Sequence, residues 1–142
     1  MARGADGDVV TIRSEYGVSE TLDRLSLLIT AKGLRVFARI NHATAAAEAR
    51  LKLRPTEQLV FGHPEKRTLL MQERQIVGLD LPVRALAWRD EAGRVWLSHR
   101  RVASIASWHG LAGAADAVKA IDENLAMLCA AAANGKSTVP VA

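Results

Sequence analysis

The sequence has almost no cysteine. Cys129 stands alone among 142 residues, so no disulfide closes within the chain. Zinc fingers, iron–sulfur clusters and CxxC redox pairs are excluded with it. Aromatic residues are also scarce: three Trp, two Phe and one Tyr. Binders of single-stranded nucleic acid add stacking aromatics to a basic groove, and six rings make a poor platform, so no nucleic acid is expected as a partner. Long apolar runs are missing. The longest, residues 125–133, is dominated by alanine and falls short of the roughly 20 residues that span a bilayer. Residues 1–9 carry charge and glycine where a secretory signal needs an apolar stretch. Neither a glycine-rich phosphate loop nor a nucleophile elbow is present. Ser98 and His99 are adjacent, but adjacency alone builds no nucleophile–base pair. A cytoplasmic protein with no membrane partner is expected, and the unpaired Cys129 fits a reducing compartment.

What is present suits one ordinary domain of 15.3 kDa, residues 1–142, with a loose start over 1–7 and a frayed tail over 135–142. Hydrophobic residues at 49% and charged residues at 24% exclude a wholly disordered chain. The net charge of +4 is an arginine excess, 14 Arg against 5 Lys. Basic residues spread along a chain in this way most often form a solvated surface.

Hydrophobic periodicity divides the chain. Residues 8–16 favour a strand through Val9, Val10, Thr11 and Ile12. Ser19 fits a helix N-cap, Leu22, Leu25, Leu28 and Ile29 share one helical face, and Gly33 ends it. Leu34, Val36, Ala38 and Ile40 alternate with Arg35, Phe37, Arg39 and Asn41, a half-buried strand whose first set faces the core. Residues 42–53 read as an alanine-rich helix closed by Arg54-Pro55. Leu59-Val60-Phe61 is a third strand, and residues 63–71 form an irregular or helical connection. Strands over 83–88 and 94–98 flank a turn at Asp90-Glu91-Ala92-Gly93. A short helix over 102–108 precedes a long one over 114–133, where Cys129 reads as a small buried hydrophobe. The simplest packed solution is an α+β domain, antiparallel strands with helices on one face.

Six short segments, in order, carry a resemblance: Arg39-Ile40-Asn41-His42-Ala43, Leu53-Arg54-Pro55-Thr56, Val60-Phe61-Gly62-His63-Pro64, Thr68-Leu69-Leu70-Met71-Gln72, Leu79-Asp80-Leu81-Pro82, and residues 88–96 from Trp88 to Trp96. Over about residues 34–111 the chain resembles the family called domain of unknown function 302. The resemblance implies a strand, a helix, four strands and a helix, with a curved antiparallel sheet likened to the TATA-binding protein. It implies no DNA binding and no activity. The chain departs from the family's usual pattern at His63 (asparagine), Arg67 (glycine) and His99 (tyrosine).

In that fold, the end of strand two lies beside the start of strand three. His42 then comes near Arg54, Thr56 and the Asp90 turn. His42 opens a helix, where a carboxylate or phosphate would meet free N–H groups, and Arg54 would add a bidentate fork. Arg39, on the non-core face of its strand, would line the approach. The competing structural reading has Asn41 capping the helix and Arg54 ordering the corner by bonding carbonyls. The opposite rim gathers His63, Asp80 and His99, a donor set of metal-site type without motif spacing, so no metal or other cofactor is expected. Strand four is apolar on both sides, which points to a covered sheet face and a homodimer. The sequence therefore leads to a small-ligand-binding or interaction module for an anionic or amphipathic molecule at His42, Arg54, Thr56 and Arg39. The alternative is an enzyme with His42 as acid/base and Arg54 as anion clamp.

Overall fold

The computed structural model describes residues 7–135. The expected loose start and frayed tail lie, but for Gly7 and Gly135, outside the described residues. Five strands form one antiparallel sheet: β1 (Val9–Ser14), β2 (Arg35–Asn41), β3 (Thr56–Gly62), β4 (Val83–Arg89) and β5 (Val95–Arg100), in the spatial order β1-β5-β4-β3-β2. The helices are α1 (Val18–Ala31), α2 (His42–Glu48), α3 (Pro64–Glu73), α4 (Val102–Trp108) and α5 (Ala115–Asn134), with a 3-10 helix over Gln75–Asp80. The α+β expectation is met.

Alternation along the strands sets the layers. Leu59 and Phe61 of β3, Ala85 and Ala87 of β4 and Leu97 of β5 are fully buried on one face. They join Leu22, Leu25 and Ile29 of α1 and Leu125, Leu128 and Ala132 of α5 in one core. The small side chains of β4 let α1 approach the middle of the sheet. Cys129 is buried there too, and burial pushes its thiol up to about 12, an inert hydrophobe. The opposite face carries Gln58, Val60, Leu86, Trp88, Trp96 and Ser98, all half-buried, with no helix of this chain over them.

Three local expectations are corrected. Helix α1 starts one residue earlier than a Ser19 cap allows: Gly17 is its N-cap, and the Thr21 hydroxyl bonds the Gly17 carbonyl (2.7 Å) and the Ser14 hydroxyl (2.7 Å). Its end is as expected, with Gly33 at φ +78° and Leu34 N–H returning to Ile29 O. Helix α2 stops at Glu48 instead of Leu53, because Arg50 takes a left-handed conformation (φ +62°) and Leu51 N–H closes back on Ala46 O.

The third correction concerns β2. Val36 pairs with Phe61, but Ala38 pairs with Val60 and Arg39 with Leu59, so Phe37 is the extra residue of a bulge. An extra residue reverses the in–out parity of everything after it. Arg39 therefore sits on the helix-bearing face and Ile40 on the open one, the reverse of the uninterrupted alternation.

One helix–helix contact was not foreseen at all. Arg24 is buried on α1, and its Nε donates to Ala132 O (2.7 Å) while Nη2 donates to Ala131 O (3.2 Å) and Gly135 O. Its guanidinium lies 3.8 Å from the Tyr16 ring, whose hydroxyl also donates to Gly135 O (2.6 Å). A cation thus closes the negative end of α5 and satisfies carbonyls that the helix leaves open.

Candidate functional site

At the rim expected to bind an anion, the polar groups are engaged with the chain itself. Asn41 caps α2 by accepting from Thr44 N–H (2.9 Å). Arg54 Nε donates to Arg89 O (3.0 Å), tying the corner before Pro55 to the end of β4, and the Thr56 hydroxyl donates to Arg54 O (2.8 Å). Arg39 does not line this rim. It holds α1 to the sheet, bonding Glu57 (3.0 Å), Asp23 (2.5 Å) and the carbonyl and hydroxyl of Ser19. Burial pulls its pKa down, but the hydrogen bonds and charges of Asp23 and Glu57 outweigh that and raise it. His42 is half-buried and makes no side-chain hydrogen bond among the described residues. The Asp90 turn behaves likewise: its carboxylate accepts from Ala92 N–H, Arg94 N–H and the Trp96 indole (2.8–2.9 Å), and these, Trp96 first, hold it below the ordinary carboxylate range.

The other rim is different. His63, Asp80 and His99 do not converge, and among the described residues no three metal-ligating side chains gather. His63 accepts from Lys66 N–H (3.3 Å) as the N-cap of α3. Asp80 meets His109 instead (Oδ2 to Nε2, 2.6 Å), 29 residues along the chain, linking the 3-10 helix to the end of α4.

Beside Asp80 the open sheet face deepens into a cavity of about 380 Å³. Val9, Pro82, Val83, Leu86 and Ile105 give it apolar walls. Gln58, Ser98, Asp80, Arg84, Arg100 and His99 supply the polar part. Strand alternation puts Arg84 and Arg100 on this face, both exposed, and neither is in an ion pair among the described residues. Ser98 sits between them and the hairpin, bonded to Thr11 (2.9 Å) and to the Trp88 indole (2.9 Å). Trp88 in turn stacks on Trp96 with ring centroids 6.3 Å apart.

His99 is the unusual member. Only 5% of it is exposed, and its Nε2 has no hydrogen-bond partner. Its Nδ1 lies 3.2 Å from Arg100 O, so Nδ1 carries the proton and Nε2 is left as an acceptor. Burial lowers its pKa, which keeps the ring neutral. Buried polar atoms are nearly always paired, so an orphan beside a cavity is informative. The other orphan is Arg67 Nη1, whose guanidinium stands 4.4 Å over Phe37 at the bulge. Both orphans sit where the chain departs from the family's usual residues.

The pattern of the family described as "Domain of unknown function DUF302" matches residues 10–132. The chain belongs to the DUF302 family. A DUF302 protein of known structure, an uncharacterised conserved protein from Bacillus stearothermophilus, superposes with a TM-score of 0.73 over 92% of this chain and 98% of that one. At 18% identity this likeness shows the shared fold. Two curated relatives, both named fluoride-specific ion channel FluC 1, come from Brucella suis biovar 1 and Brucella abortus biovar 1. Each is 43% identical over 122 residues, 85% of this chain but only 48% and 45% of theirs. The DUF302 chain spans about half the length of the curated relatives it matches.

Sequence reasoning missed Arg84 and Arg100 as a pair and placed His99 with the wrong partners. One signal was available. Arg84, Leu86 and Trp88 share one side of β4, and a cation at the end of an apolar stripe on an uncovered face is a ligand-type pattern.

Proposed function

We propose that the chain is a small-ligand-binding module whose site is the cavity on the open sheet face, and that it takes an amphipathic anion. The observation that carries this is the conjunction of two unpaired arginines, an apolar floor and the buried, unpartnered Nε2 of His99. A volume near 380 Å³ falls within the usual range for small-molecule sites. Arg84 and Arg100 would hold the anionic group, Leu86 and Val9 the apolar body, and His99 Nε2 would accept from a hydroxyl or amide of the ligand. Calorimetry with a panel of hydroxylated carboxylates and organic phosphates tests the reading. Binding to wild type that survives Arg84→Ala with Arg100→Ala would refute it.

The enzyme reading is less well supported. His42 has no orienting partner and lies outside the cavity lining, so an acid/base role lacks the geometry such roles need. Self-association as a homodimer over Val60, Leu86, Trp88 and Trp96 would wall off the same cavity. Light scattering would then give about twice 15.3 kDa.

The channel named in the two relatives is not assigned to this chain. A spanning helix takes roughly 20 apolar residues, and no helix of the described residues is long and apolar enough. We place the channel in the half of those proteins that this chain does not match, and the ligand-binding module in the half it does.

A further inference from the structure

Helix α2 and the loop after it lack the packing that holds every other part of the fold. None of the seven residues of α2 is buried. A helix this short is not stable on propensity alone and needs a surface to lie against. Residues 50–54 that follow read Arg-Leu-Lys-Leu-Arg, and all five are exposed, Leu51 by 67% and Leu53 by 49%. Isolated exposed leucines are ordinary. Two leucines interleaved with three cations on one projecting loop are not.

The charges near them do not cancel. Arg54 spends only Nε on the chain, and Arg50 and Lys52 have no partner among the described residues. The acidic groups of this rim are mostly spent: Glu57 on Arg39, and Asp90 on its own turn. Glu48 is the only acid between residues 42 and 54. A second copy of the chain would bring like charge against like charge. A free phosphate would satisfy the cations and leave both leucines in water.

We propose that residues 50–54 dock on the surface of an anionic lipid bilayer, with Leu51 and Leu53 inserted at the acyl boundary and Arg50, Lys52 and Arg54 among the headgroups. Long cationic side chains reach headgroup phosphates while their stems stay in apolar surroundings, and leucine gains by leaving water. A surface contact needs no spanning helix. The absence of a span, which led to the expectation of no membrane partner, bears on insertion across a bilayer alone. The proposal stands apart from the cavity, which lies at the other rim.

Co-sedimentation of the full chain with vesicles tests it. Phosphatidylcholine vesicles with about 30% phosphatidylserine should carry the protein down at low salt, pure phosphatidylcholine should not, and about 0.5 M salt should release it. Lys52→Ala should weaken binding by about fivefold, the effect of one cation near an anionic surface. Leu51→Ser with Leu53→Ser should weaken it more than about tenfold. All three residues are exposed, so circular dichroism should show both variants folded. Equal binding to neutral vesicles overturns the proposal. So does no binding to anionic ones, indifference to both variants, or full competition by millimolar inorganic phosphate.

Discussion

At the rim where β2 ends and β3 begins, polar groups find each other. Asn41 caps α2, Arg54 and Thr56 knit the corner, and Asp90 takes three donors at once. At the rim where β4 begins and β5 ends, polar groups are left over. Arg84 and Arg100 are in no ion pair among the described residues, and His99 keeps a buried acceptor empty. Both rims are rich in arginine and histidine, so residue type does not separate them. What separates them is whether hydrogen-bonding capacity is consumed within the chain. Consumed capacity stabilises a fold, and unconsumed capacity beside a cavity is available to a ligand.

The sharpest way to break this contrast is to remove the arginines of the open rim. Arg84→Ala with Arg100→Ala should lower affinity for a hydroxylated carboxylate or organic phosphate by on the order of a hundredfold, two charge-assisted bonds being lost. The melting temperature should hardly move, because both side chains are exposed and bond nothing in the fold. Calorimetry and thermal denaturation together read the two halves of the claim. A stability loss with unchanged affinity would exchange the roles of the rims.

Asp90→Ala should do the opposite. It removes the acceptor for Ala92 N–H, Arg94 N–H and the Trp96 indole, and so loosens the β4–β5 turn and the Trp88–Trp96 stack. The expected result is a clear drop in melting temperature with ligand affinity of the folded protein retained. The same change should also reduce stability's dependence on acid. The Asp90 pKa is depressed in the fold, so the stability it contributes is present above the ordinary value of 3.8 and lost as pH falls through the folded value.

His99 offers a smaller effect in a different pH range. Its folded pKa lies below the ordinary 6.5, so as pH drops from there the unfolded chain gains a proton that the buried ring refuses. Stability should therefore decline below about pH 6.5 and recover on return. His99→Phe should flatten that decline in a urea titration run at several pH values. A decline that persists unchanged in the variant would assign it to another group.

Much of this architecture was legible because it rests on periodicity. Alternation in β4 and β5, the stripe of α5, and the glycines at 33 and 93 each express a local rule, and the structure follows them. The failures have one physical origin, which is that partners distant in sequence leave no local mark. The bulge at Phe37 is invisible in a strand whose alternation reads cleanly through it, yet it carried Arg39 to the other face. Asp80 looked like a turn residue or a metal ligand until His109 arrived from α4. Arg24 read as an ordinary polar position, although it follows Thr21 by three and so shares its buried face. The candidate site was missed for the same reason, since Arg84 and Arg100 meet only through the β4–β5 pairing.

The smallest predicted effect is also the most discriminating. Arg54→Lys keeps the charge and removes the planar Nε donor that reaches Arg89 O. If the corner reading holds, one exposed hydrogen bond is weakened, and stability should fall by about 1 kcal/mol or less. Affinity at the open-rim cavity should not change, because Arg54 takes no part in lining it. Binding to anionic vesicles should also persist, because a bilayer surface reads charge without requiring a fork. A bidentate anion clamp at the corner would behave otherwise. There the lysine would lose a planar contact, and ligand affinity would drop tenfold or more at unchanged stability, on the order of 1.5–3 kcal/mol for a charge-assisted bond. Thermal denaturation, calorimetry and co-sedimentation on this one variant therefore distinguish a structural corner, a lipid contact and a small-anion site.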